Sequence, residues 1–262
     1  MPKVEALFLK RSHASEINAV DHLDLLIGAG IVGDLKCDLE SPRQILVVRA
    51  EDLHSFSLPL GYLKENMVLS GVSAYDFLPG RSIRFENGTS IHLVFHCEPC
   101  KKIGELVPRL SSISGKRGIL GIVERSGRVH ASDRPTFQPS CLNSMSESAE
   151  ARVAQIVAKI PLGRVLDYGT LLVAAGLQAA YFRVIPKYLE AAKLANLPTH
   201  RVVTSAFALQ KSDRLSHLTL AIELNHLLPA KESLGPFKRP EILPTLLKGL
   251  AWKPKILDLL QD

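Results

Sequence analysis

The sequence predicts a two-domain α+β protein: a β-rich, barrel-like half followed by a mainly helical half with a helix-turn-helix. Three observations predict it. The chain has 262 residues, against a typical domain of roughly 150. Its hydrophobic period changes near Ser148, from short strand-like runs to helical spacing. Its charge is uneven: residues 1–133 hold 16 basic and 16 acidic residues, whereas residues 134–262 hold 16 and 10.

The first half reads as strands. ILVV (45–48), IRFE (83–86), IHLVFH (91–96) and GILGIVE (118–124) are short apolar or β-branched runs, separated by LPG (78–80), ENG (86–88) and SG (126–127). Short runs with turn residues between them indicate a barrel or sandwich-like domain. Residues 134–148, RPTFQPSCLNSMSES, carry no periodicity and read as a linker. From Ser148, a candidate N-cap, Val153, Ile156, Val157 and Ile160 share one helix face. Pro161 and Gly163 end that helix, a second is expected from about Thr170 to Ala175, and a third from about Ala179 to Ala192, kinked or shortened by Pro186. Two helices across a short Gly-containing turn suggest the helix-turn-helix.

Apolar residues make up 46% and charged residues 22% of the chain, a globular balance that excludes wholesale disorder. No apolar stretch approaches the roughly 20 residues of a membrane span. The start, MPKVEALFLK, is too charged for a signal peptide. The expectation is a cytoplasmic protein without a membrane partner. Four cysteines do not make a disulfide framework. The basic excess concentrates in residues 151–211, with eight basic and two acidic residues. It reads either as a polyanion-binding face or as an ordinary solvated one.

The first half centres on Cys97-Glu98-Pro99-Cys100. A lone C-x-x-C admits three readings: half a zinc site completed by Cys37 and His96 or His92, a redox dithiol, or two structural cysteines. Lys101, Lys102 and Arg109 lie near it in sequence, and a positive field favours a reactive thiolate.

GIVGD (30–34), SPRQILVV (41–48), LKENMVLSGV (63–72), LPG (78–80), CEPCKKIGEL (97–106) and RGILGIVERSGRV (117–129) follow one another in order. Together they resemble a MOSC domain, the module named for the C-terminal part of molybdenum-cofactor sulfurases, over residues 1–133. The resemblance implies that Cys100 carries sulfur as a persulfide or ligates molybdenum, with Cys97 auxiliary. It implies that Arg43 and Asn66 meet the cofactor, Arg43 as a contact for the pterin phosphate. Asp34 reads as structural. The implied cofactor is molybdopterin-bound molybdenum, the implied partners an external sulfur donor or a molybdoenzyme. The chain has no room for a pyridoxal-phosphate domain, so no pyridoxal phosphate is expected.

In the second half, VAQIVAKIPLGRVLDYGTLLVAAGL (153–177) and LPTHRVVTS (197–205) resemble the DNA-binding domain of O6-alkylguanine-DNA alkyltransferases. The match is clear over about residues 149–206, within a domain taken as 149–262. Where that family has its acceptor Cys, this chain has Thr199. A threonine hydroxyl is too weakly acidic to replace the thiolate, so the resemblance implies DNA binding, of alkylated DNA in the alkyltransferase-like proteins, without alkyl transfer. Tyr168, Arg183, Lys187, His200 and Thr199 are the implied DNA-side residues, Arg183 as the one that replaces a flipped base. Lys193 is a further phosphate candidate, and Arg201 reads as structural. The family's Asn falls on Ala191, and AFALQKSDRL after Ser205 lacks the family's Gly-containing loop. Residues beyond about 207 show Leu-rich helical sequence without a motif.

The leading expectation is thus a molybdenum-cofactor or sulfur-handling protein fused to a non-catalytic DNA-binding module. The alternatives are an interaction protein that has lost both ligands, and a molybdenum-cofactor oxidoreductase.

Overall fold

The computed structural model describes residues 1–100, 103–107, 109–204, 220, 223 and 247–261. The chain divides into two compact units, Met1–Glu147 with Lys255–Asp262, and Ser148–Pro254. The architecture is mixed α/β: a β-rich unit and a mainly helical one, as the period change predicts.

Unit 1 is built on an eight-stranded sheet. Its strands are β1 (Lys3–Leu9), β2 (Asn18–Val20), β5 (Ile45–Arg49), β6 (Met67–Ser70), β7 (Arg81–Arg84), β8 (Ser90–His96), β9 (Ile119–Arg125) and β11 (Thr136–Pro139), in the order β11-β7-β8-β9-β5-β6-β1-β2. A second sheet joins β3 (His22–Leu26), β4 (Gly30–Ile31) and β10 (Gly127–His130), with β3 in the middle. Among the described residues the β5–β6 pair is the parallel one of the large sheet, and a short helix, α1 (Ala50–Ser55), starts the crossover between them. The two sheets close on one core, to which Leu23, Leu25, Ile31 and Val129 come from the small sheet and Ile45, Val47, Met67, Ile91 and Ile119 from the large one.

The apolar runs explain the strand order. Ile45–Val48 is buried without alternation, as befits a strand covered on both faces, and it lies in the interior of the sheet. β8 is buried from Ser90 to Phe95. The ENG turn closes the β7–β8 hairpin: the Phe85 N–H donates to the Thr89 carbonyl at 3.0 Å, and Gly88 takes φ +85°. That geometry moves β7 two residues earlier than the IRFE run suggests.

Residues 134–148 do not all serve as a connector. Thr136–Pro139 pairs antiparallel with β7 as the sheet's edge strand, and Asn143 and Met145 are hydrogen-bonded into the unit through Leu260 and Val94. The chain end also differs from the expectation of a domain running to 262. A last helix, α5 (Ile256–Leu260), belongs to unit 1, where the Ile256 N–H donates to the Leu39 carbonyl at 2.8 Å.

Unit 2 begins at Ser148, whose hydroxyl accepts from the Ala151 N–H and caps α2 (Ala149–Ala158). Asp167 caps α3 (Tyr168–Ala174): its Oδ1 accepts from Gly169 and Thr170 N–H groups, satisfying orphan donors of the first turn. A 3-10 turn (Ala179–Arg183) leads to α4 (Ile185–Leu194). Pro186 therefore shortens the helix and does not kink it: it sits in the first turn of α4, where its missing N–H costs nothing. A second 3-10 turn (Thr199–Arg201) is followed by β13 (Val202–Val203), which pairs parallel with β12 (Leu166–Asp167). Arg152 on α2 is fully buried and donates from Nε to the Ala175 carbonyl at 2.9 Å, placing a cation on the C-terminal end of α3.

Candidate functional site

The unit 1 candidate is the turn after β8. Cys97 is 3% exposed, and its N–H donates to the Gly118 carbonyl at 2.9 Å. Burial pushes its thiol up, outweighing the opposing pull of Arg117 and Arg43. Cys100 is half-buried and remains reachable. The turn is held from two sides: a guanidinium nitrogen of Arg43 binds the Glu98 carboxylate, and one of Arg117 donates to the Glu98 carbonyl. Arg43 also lies over the Phe95 ring, 5.8 Å from its centroid. Arg117 is only 6% exposed, and among the described residues its buried Nε finds no hydrogen-bond partner.

Sequence reasoning named Arg43 but missed Arg117. Its signal was a basic residue directly before Gly118, at the start of a buried strand. Asn66 is hydrogen-bonded within the fold. Its Oδ1 accepts from the Leu46 N–H at 3.0 Å, and its Nδ2 donates to Asp34 at 3.2 Å and to the Phe8 carbonyl at 3.4 Å. That amide ties β1, β5 and the Asp34 turn together, and Asp34 in turn accepts from the N–H groups of Lys10 and Lys36. Lys101 and Lys102 lie outside the described residues. Among the described residues no group of three or more His, Cys, Asp or Glu is placed to hold a metal ion, so the zinc reading with Cys37 gains no ligand set; His92 hydrogen-bonds to the Asn143 carbonyl and His96 to Glu147.

The unit 2 candidate gathers at the Thr199–Arg201 turn. Glu223 anchors it: its carboxylate binds His200 Nε2 at 2.8 Å, Arg201 Nε at 3.0 Å and the Gly163 N–H at 2.7 Å. Burial alone would raise that carboxyl, but the Gly163, His200 and Arg201 contacts together hold it below its ordinary value. Arg201 also donates from Nη1 to the Ile160 carbonyl at 2.7 Å, which gives it the structural part expected of it. Thr199 is half-buried beside this group. Sequence reasoning missed Glu223, which stands in a segment without a motif.

Tyr168 opens α3 and is 5% exposed, with burial raising its phenol. Its ring meets the edge of Phe182 at 5.6 Å between centroids. Arg183 ends the first 3-10 turn and Lys187 lies on α4, both exposed. Residues 206–214, with the altered loop, lie outside the described residues.

Comparison with known proteins bears on this second unit. Residues 148–226 match the family model of the 6-O-methylguanine DNA methyltransferase DNA-binding domain. The second unit is therefore similar to that DNA-binding domain over those residues. No curated protein matches the chain as a relative. Among solved structures, the YuaD protein of Bacillus subtilis is 26% identical over 53% of this chain and 97% of its own, with a TM-score of 0.47. YiiM from Escherichia coli is 21% identical over 72% of this chain and 94% of its own, with a TM-score of 0.42. S. pombe Atl1, solved in complex with damaged DNA containing O6-carboxymethylguanine, is 19% identical over 42% of this chain and 98% of its own, with a TM-score of 0.27. Among the described residues no helix is long and apolar enough to cross a membrane.

Proposed function

We propose that the alkyltransferase-like unit binds DNA, alkylated DNA included, without accepting an alkyl group. The observation that carries this reading is the family match over residues 148–226 with Thr199 in the acceptor seat beside a hydrogen-bonded His200–Glu223 pair. The ionised Glu223 fixes the His200 ring and its tautomer. The pair is set to draw a proton from a neighbour, but a threonine hydroxyl does not ionise at neutral pH. Binding then rests on cations, and exposed Arg183 and Lys187 supply them in a segment with eight basic and two acidic residues. Lys193 is exposed on the same helix.

For unit 1 the reading is a MOSC-type module with Cys100 as its working thiol, handling sulfur or the molybdenum cofactor. The buried Nε of Arg117, which finds no partner among the described residues, and the guanidinium of Arg43, held on Glu98, fit a group that carries a phosphate. A half-buried thiol fits a soft metal or a sulfur cargo. Cys100 would ligate the molybdenum, and Arg43 and Arg117 would meet the phosphate. When bound, the cofactor supplies two-electron redox chemistry; the protein's residues bind and orient it. For sulfur handling, the Cys100 thiolate would attack the outer sulfur of an external donor's persulfide, forming the new S–S bond as the donor's S–S bond breaks and the donor leaves as a thiolate.

The test uses the full chain. Gel-shift titrations with duplexes containing guanine or O6-methylguanine should give binding that weakens steeply with salt, and intact-mass measurement should find no methyl group on the protein. No binding at low salt would leave the interaction-protein reading for this unit. Polysulfide treatment read by peptide mass spectrometry should place added sulfur on Cys100 in wild type, and Cys100→Ser should lose that site while the exposed Cys37 and Cys141 load as before; molybdenum analysis of protein from its native host separates a resident cofactor from transient sulfur carriage.

A further inference from the structure

We propose that Phe182 is an aromatic wedge which the second unit drives between stacked base pairs, and that its preferred ligand is duplex DNA with weakened stacking. This rests on the DNA-binding reading of that unit. It replaces Arg183 with Phe182 as the residue that enters the stack.

Phe182 lies in the 3-10 turn Ala179–Arg183, which contains no buried residue. Its side chain is 41% exposed. Behind it stands Tyr168, 5% exposed, with the two rings edge to face at 5.6 Å and 65°. Tyr168 is itself fixed, because it opens α3 directly after the Asp167 cap, whose carboxylate takes the Gly169 and Thr170 N–H groups and the Thr170 hydroxyl. The exposed ring is thus backed by a buried ring at a capped helix start.

Among the described residues, the large apolar side chains this unit exposes are Leu162, Phe182 and Leu194. Only Phe182 has a π-face with which to stack on a base. It also has cations beside it. Arg183 follows it, and Lys187 lies one turn along, so phosphates flanking an opened step would meet both. Inserted Phe side chains partly unstack a step and bend the duplex.

An apolar ring has a consequence for specificity. It donates no hydrogen bond to a base edge, so it reads no base identity. What it senses is the cost of opening the stack, which is lowest at mismatched, damaged or abasic positions. The ligand class is therefore locally unstacked duplex, of which an O6-alkylated pair is one member.

The experiment uses full-length protein and duplexes carrying 2-aminopurine next to a matched pair, a mismatch or an abasic site. Wild type should bind the mismatch and the abasic duplex about tenfold more tightly than the matched one and raise the 2-aminopurine fluorescence several-fold. Phe182→Ala should lose the preference and the fluorescence change while its matched-duplex affinity and salt dependence stay within about twofold. Phe182→Trp should keep both signals, which separates a stacking role from a folding one. Leu194→Ala should behave as wild type, and Arg183→Ala should weaken all duplexes alike. Preference and fluorescence that survive Phe182→Ala, or that vanish in Arg183→Ala, would overturn the proposal with DNA binding intact. Failure of wild type to bind any duplex would overturn the DNA reading itself.

Discussion

His200 Nε2 and Glu223 Oε2 are 2.8 Å apart, so the imidazole that follows Thr199 in the chain is held by a carboxylate. Thr199→Cys should place a thiol where that base can act. In this variant the new thiol should titrate below the roughly 8.5 of a free cysteine, and Thr199→Cys with His200→Ala should not. Reaction rate with iodoacetamide against pH reads both. Methyl transfer from O6-methylguanine DNA, followed by intact mass, is expected only in the first.

The same carboxylate gives a pH dependence. Glu223 is held below its ordinary pKa in the folded state. The stability it contributes is therefore present above the unfolded value of about 4.3 and is lost as pH falls through the lower folded value. Glu223→Gln should remove that acid dependence and cost about 1–3 kcal/mol near neutral pH, because Arg201 loses its charge partner. Urea midpoints at pH 7 and in the acid range, followed through Trp252 fluorescence, would check both effects.

His92 acts in the opposite unit with its own window. It is fully buried, its Nε2 bonds to the Asn143 carbonyl at 3.0 Å, and among the described residues its buried Nδ1 finds no partner. Burial lowers its pKa against the raising effects of that bond and of Glu124. The unfolded state binds the proton first, so stability is lost as pH falls below about 6.5 towards the folded value. Melting temperatures of unit 1 at pH 7.5 and pH 5 should differ in wild type, and His92→Gln should shrink the difference.

Cys100 should react before Cys97. Cys97 is buried with its thiol pushed up, whereas Cys100 is half-buried. Limited iodoacetamide labelling with peptide mass spectrometry should find Cys100 modified several-fold faster than Cys97. In Arg117→Met the Glu98 carbonyl loses its donor, and the labelling contrast should narrow.

Gly118→Ala should disturb the same turn. Gly118 has φ +96°, and an added Cβ would press on the Val47 carbonyl and lie 2.7 Å from Val48 Cγ2. Both neighbours belong to the interior strand β5 and cannot retreat, so the cost should be about 2 kcal/mol or more. Thermal denaturation reads the loss, and faster Cys97 labelling reads the loosened turn.

The elements that were legible in the sequence are those set by local chemistry. Ser148 starts its helix because its hydroxyl meets an orphan N–H three residues on, and ILVV and IHLVFH are strands because their apolar runs suit a covered sheet. Pro186 shortens its helix, one of the two effects expected of it, but the 3-10 turn that takes up Ala179–Arg183 before it has no periodic signature. Arg117 and Glu223 were hidden for a different reason. Each matters through partners 19 to 60 residues away in the chain, and no local pattern encodes such a meeting. The edge strand Thr136–Pro139 was hidden because it is short and half-exposed, with two prolines nearby, which edges tolerate.

The return of residues 256–260 to the first unit means that the β-rich part is split by everything between Ser148 and Pro254. During synthesis the amino-terminal strands leave the ribosome long before the segment that seals Leu39 and Asn143 exists. Until then the Asn143 N–H and the Leu39 carbonyl lack their partners from the last helix, and the nascent chain must carry an unfinished seam through translation of the whole helical unit. A fusion or tag joined to the last residues would therefore bear on the cysteine-bearing unit, and a fluorescent reporter there would sense the closing of that seam.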